Sequence, residues 1–82
     1  MANITVGTSA VQIAYDPERI LVIQNLGTGN VYIDHDPSVT TSTGFKLAAD
    51  AVYEYPRQLN LGEGAVWIIG DAADTDVRLL EV

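Results

Sequence analysis

Residues Arg19 to Ser38 read RILVIQNLGTGNVYIDHDPS. A run rich in β-branched residues is followed by a Gly/Thr/Asn cluster, then by a second alternating run that stops at a proline. Period-two alternation with β-branched enrichment is a strand signal, and glycine with asparagine supplies turn chemistry. The stretch therefore predicts two strands, Arg19–Gln24 and Asn30–His35, and the short "GTGN" between them predicts a hairpin. Leu21 and Ile23 fall on one face of the first strand and Ile20 and Val22 on the other, which makes that strand apolar on both sides.

The same grammar extends outward in both directions. Strands are predicted at Asn3–Val6, Val11–Tyr15, Ala65–Ile69 and Asp76–Val82, with one further extended piece running from Phe45–Leu47 into Val52–Tyr55. "GTS" at Gly7–Ser9, "DPE" at Asp16–Glu18, "DPS" at Asp36–Ser38, "GEG" at Gly62–Gly64 and "GDAAD" at Gly70–Asp74 divide them. No segment carries a helical apolar stripe. About seven short antiparallel strands with a turn signal roughly every ten residues indicate an all-β domain, a small β-sandwich or jelly-roll-like barrel. Residues 1–82 read as a single domain, in which 1–8 forms an extended N-terminal arm or an edge strand.

Composition narrows the function. Eleven acidic and four basic residues give a net charge of −7, and Arg19, Lys46, Arg57 and Arg78 are scattered. Nucleic-acid binding requires a basic footprint to replace phosphate counterions, and none is present. The start MANITVGTSA lacks a signal peptide's positive and apolar regions, and the longest apolar run, Ile20–Ile23, is too short to cross a membrane. The expectation is a protein of the cytoplasm or of something assembled there. Without cysteine, an 82-residue domain has neither disulfides nor a thiolate metal site to reinforce it. It must rely on an unusually apolar core or on burial against other subunits.

Too many strands are apolar on both faces for a free sandwich. In "AVWIIG" Ala65, Trp67 and Ile69 oppose Val66 and Ile68, and in "VRLLEV" Val77 and Leu79 oppose Leu80 and Val82. A sandwich strand ordinarily has one wet face, and contiguous exposed apolar surface marks an interaction site. Tight closure of a barrel offers the alternative explanation. The interface candidates are Ile4, Val6, Tyr53, Tyr55, Trp67, Leu80 and Val82, each assignable to core or to subunit contact.

Candidate chemistry is sparse. Asp34 and Asp36 flank the only histidine, His35, but strand alternation sends the two acids to one face with Tyr32 and the histidine to the other with Val31 and Ile33. One histidine also excludes multi-histidine zinc sites. The triplet reads as a solvated strand end with a half-buried histidine. Asp71, Asp74 and Asp76 offer clustered carboxylates that calcium favours, yet their spacing is not that of an EF-hand, and a hairpin turn accounts for them. Ser9, Ser38 and Ser42 have no nucleophile-elbow context, and the glycine loops lack a phosphate-binding lysine. No catalytic residue, cofactor or resident metal is expected. Tyr15, Tyr32, Tyr53, Tyr55 and Trp67 would serve a carbohydrate-binding or adhesion module if their rings were exposed, and a core or subunit face if they were not.

The order of segments is more distinctive than any of these motifs. ITVGTSAVQI, RILVIQNLGTGNVYI, VTTSTGFKLAAD, AVYEY and GAVWIIGDAADTDVRLLEV in succession resemble the small β-sandwich virion proteins of tailed bacteriophages, above all the head decoration, or capsid cement, proteins. That resemblance covers nearly the whole chain. It implies a non-enzymatic structural protein that forms a homo-oligomer, commonly a trimer, binds the major capsid protein on the outer surface of the virion and stabilises the head. Similar sandwiches also occur in tail and head-fibre components. The N-terminal residues Ala2–Val6 would then be free to pair with a neighbour's sheet edge or the shell.

Overall fold

The computed structural model describes residues 2–16, 18–55 and 64–82. It contains eight strands and no helix among these residues: β1 (Ala2–Val6), β2 (Val11–Tyr15), β3 (Leu21–Asn25), β4 (Val31–Asp34), β5 (Phe45–Leu47), β6 (Val52–Tyr55), β7 (Gly64–Gly70) and β8 (Thr75–Glu81). No described helix is long and apolar enough to cross a membrane. The strands form two four-stranded antiparallel sheets, ordered β1-β8-β3-β6 and β2-β7-β4-β5. Four nested pairs, β1 with β8, β2 with β7, β3 with β6 and β4 with β5, describe one long hairpin rolled over on itself, the connectivity of a jelly roll. Lateral pairing of β3 with β8 and of β4 with β7 completes the sheets.

Two sequence expectations are corrected. The predicted hairpin between RILVIQNLG and NVYIDHD does not form, because β3 and β4 lie in opposite sheets and "GTGN" carries the chain across the sandwich. Leu21 and Ile23 on one side and Val31 and Ile33 on the other each supply a buried face to the same core, which side-by-side pairing would not require. The extended piece from Phe45 to Tyr55 is two strands rather than one, hence eight instead of seven. β5 pairs with β4 while β6 pairs with β3, and the corner between them bends at Asp50, whose φ of 65° is left-handed. Asp and Asn tolerate that conformation better than other side-chain-bearing residues.

Alternation otherwise organises the core as expected. Val6, Ile13, Leu21, Ile23, Val31, Ile33, Leu47, Val66, Ile68 and Val77 are buried, and Ile4, Tyr53 and Leu79 pack against them. Among the described residues Asn25, at the end of β3, and Thr75 are the buried polar side chains, and Asn25 is fully enclosed. Its Nδ2 donates to Gly29 O at 2.9 Å and Leu47 O at 3.0 Å, and its Oδ1 accepts the Gly27 N–H at 3.0 Å. The Asn25 main chain bonds both Ala51 O and the Asp50 N–H. A single buried amide thus holds both sheet-crossing corners, β3–β4 and β5–β6, and every partner it needs is present.

Candidate functional site

The side chains around His35 come apart as alternation requires. β4 ends at Asp34, whose Oδ1 accepts the His35 N–H at 2.7 Å. Asp36 Oδ1 accepts both the backbone N–H and the hydroxyl of Ser38 at 2.9 Å, and these bonds hold its carboxyl below the usual carboxylate range. Both carboxylates therefore cap the loop around Pro37. His35 lies just past the end of β4 and is exposed rather than half-buried, with its ring edge-on to Tyr55 at 5.2 Å between centroids and Tyr55 Oη 2.5 Å from Nε2.

Tyr55 belongs to an aromatic cluster that closes one end of the sandwich. It packs edge-on against Tyr15 at 6.1 Å and Tyr53 at 5.7 Å, and Tyr53 in turn meets Phe45 at 5.1 Å. Burial pushes the Tyr55 phenol up to about 12, with smaller contributions from Tyr15, Tyr53 and Asp34. Burial also raises the Tyr15 phenol. Three of the five aromatics considered for a sugar platform are thus core residues or packed against the core. Only Tyr32 and Trp67 stand on the outer face of the β2-β7-β4-β5 sheet, as diagonal neighbours through the Tyr32–Ile69 and Asp34–Trp67 register.

The acidic turn is structural. Asp71 accepts from the Asn30 N–H at 3.0 Å and from Asn30 Nδ2 at 2.9 Å, while the Asp71 N–H returns a bond to Asn30 O. Asp74 occupies the left-handed region at φ 59°, and Asp76 sits 3.4 Å from Arg78 Nη2. Among the described residues no three His, Asp or Glu side chains gather to hold a metal ion. Close approach explains the glycines opposite: a Cβ on Gly27 would stand 2.5 Å from Thr75 Cγ2, and one on Gly29 would stand 2.7 Å from Asp71 Oδ1. The turns after β3 and β7 therefore interlock, which alternation alone did not announce.

Of the interface candidates, Val6 and Tyr55 are buried, and Ile4 and Tyr53 are partly buried and pack against the core. Trp67 is half-buried on the outer face of its sheet, and Leu80 and Val82 are exposed. Leu80 pairs with Val22, and Ile20 pairs with Val82 through two main-chain bonds of 3.1 and 2.8 Å. Val52 on the next strand, 56% exposed, lies diagonal to Val22 across the register, so these side chains share the outer face of the β1-β8-β3-β6 sheet with Gln24, Glu54 and Arg78. A shallow depression there is lined by Val22, Gln24, Val52, Arg78, Leu79 and Leu80. The sequence signal for this surface was the double-faced apolar pattern, and the structure divides the two faces: Leu21, Ile23, Val77 and Leu79 inward, Ile20, Val22, Leu80 and Val82 outward.

Fold and surface together define an eight-stranded jelly-roll domain in which one outer sheet face carries Ile20, Val22, Val52, Leu80 and Val82 interspersed with Gln24, Glu54 and Arg78. Comparisons with protein-family models, with curated proteins and with solved structures each returned no match.

Proposed function

We propose that the chain is a non-enzymatic structural protein of a tailed-phage virion, which binds the outer capsid surface as a homo-oligomer and stabilises the head. The observation that carries this reading is the group of exposed Val52, Leu80 and Val82 with part-exposed Ile20 and Val22 on one outer sheet face of an acidic molecule. Exposed apolar surface of this kind favours a macromolecular partner. Each copy contributes a modest contact; oligomerisation multiplies it, because the second and later contacts of one assembly are intramolecular. The partner is the major capsid protein, and assembly takes place in the host cytoplasm. Supporting the reading further are the resemblance across nearly the whole chain and the structural use of the acids at Asp34, Asp36 and Asp71.

The double variant Val52→Glu and Leu80→Glu tests it, since both side chains are exposed and the fold does not need them. Undecorated capsids should pull down the wild-type protein and not the folded variant; equal pull-down of the two overturns the assignment of this face. The adhesion alternative keeps Tyr32 and Trp67 as its support. Saturable binding on a glycan array, abolished by Trp67→Ala, would replace the capsid reading with that one.

A further inference from the structure

The chain's eleven acidic and four basic side chains all lie at Asp16 or beyond; the first fifteen residues, MANITVGTSAVQIAY, carry none. The fold gathers that uncharged segment into one place. β1 is an edge of one sheet and β2 an edge of the other, and the short connection Gly7–Ala10 folds them back to back on the same flank of the sandwich. On the opposite flank the edges are β6, which carries Glu54, and β5, which carries Lys46. Exposed strand edges are templates for pairing, and proteins ordinarily guard them with charge, proline or bulges. β5 and β6 are guarded in this way. β1 and β2 have no charge, no proline and an unbroken register against β8 and β7. Among the described residues, no strand pairs with the outer side of either.

We propose that this flank is where copies of the chain join, β1 of one copy pairing antiparallel with β2 of the next. The occupant is a second copy because the two edges complement each other. Both strands have five residues, and they run in opposite senses along the sandwich. Setting Ile4 opposite the neighbour's Ile13 places inward residue against inward residue, Thr5 against Gln12 and Asn3 against Ala14, with no like charges opposed in a molecule of net charge −7. Pairing of β1 with β2 of a second copy brings that copy's β1 against the first copy's β2, so one contact uses both unguarded edges of each copy. Because both edges lie on one flank, the contact is isologous and closes as a twofold dimer. This inference rests on the oligomeric part of the function proposed above and names the surface that makes the oligomer, distinct from the outer face that carries Val52 and Leu80.

The absence of cysteine makes the test clean, because each introduced thiol is unique. Thr5→Cys and Gln12→Cys are both exposed substitutions. Purified variants, assembled alone or as a mixture, are treated with a short bis-maleimide. A cross-linked band should form in the Thr5→Cys and Gln12→Cys mixture and in neither variant alone. In parallel, Thr5→Glu with Gln12→Glu should weaken each contact by up to about fivefold, whereas Thr5→Lys with Gln12→Glu should retain it. Circular dichroism checks that all variants keep the fold. Cross-linking of Thr5→Cys to itself, or an oligomer indifferent to the acidic pair, overturns edge pairing. A monomer that still sediments with capsids overturns this inference alone; a dimer with the expected cross-link that ignores capsids overturns only the capsid reading.

Discussion

Replacing Asn25 with leucine is the most informative single change to the fold. Leucine fits the volume, but it removes the amide that serves Leu47 O, Gly29 O and the Gly27 N–H. Each buried group left without a partner costs about 1–3 kcal/mol. Leu47 O bears the full penalty, since its bond to Asn25 is buried, whereas the other two are part-buried and retain some access to water. Added apolar burial returns about 1 kcal/mol. The net loss is about 2–4 kcal/mol, against a total stability of roughly 4–12 kcal/mol for a domain of this size. At the melting point this corresponds to a fall in Tm of roughly 10–30 °C. Urea unfolding followed by the fluorescence of Trp67, the only tryptophan, reads the change directly. Protein concentration must be held constant, because self-association adds to apparent stability. A loss below about 1 kcal/mol, with an unchanged m value, would show that the two corners hold without Asn25 and would refute the account of how the sheets are joined.

Three further perturbations probe the same framework. Gly27→Ala forces a Cβ to within 2.5 Å of Thr75 Cγ2 and 3.2 Å of its Cα, so thermal melting should show a loss of about 1–3 kcal/mol, and a neutral outcome would mean that the interlocked turns are loose. Asp71→Ala removes both bonds to Asn30 and should destabilise by about 1–2 kcal/mol, while calcium or a chelator leaves the wild-type Tm unchanged; a calcium-dependent rise would reinstate the acidic turn as a cation site. Tyr55 has a folded pKa raised from 10.0 to about 12, so its neutral form is the one folding favours. Its contribution is complete below pH 10 and disappears as pH rises through about 12, and Tyr55→Phe should flatten the stability profile across that window. An identical alkaline profile for the two proteins would rule out Tyr55 as its source.

Much of the sandwich was legible because alternation is a local property. The inward sets on β3, β7 and β8 follow directly from side-chain parity, and so does the separation of His35 from Asp34 and Asp36. Pairing partners were not legible, because β3 finds β6 and β8 far along the chain rather than its sequence neighbour, and a short Gly/Asn turn suits a hairpin and a sheet-crossing corner equally well. Asn25 illustrates the difficulty. In sequence it is one more polar residue before a turn; only the three-dimensional meeting of Gly27, Gly29 and Leu47 makes it a hub. The outer-face apolar group was half legible: double-faced apolar strands announced excess apolar surface, but choosing Leu80 and Val82 over Val6 and Tyr55 required the sheet order.

The temperature at which DNA-filled heads lacking this protein release their DNA, measured with and without the purified chain, bears most directly on the proposed function. The account predicts that the protein sediments with the heads and raises the release temperature, and that Val52→Glu with Leu80→Glu abolishes both effects. Heads that release DNA at the same temperature in either case, with the protein left in the supernatant, would contradict it.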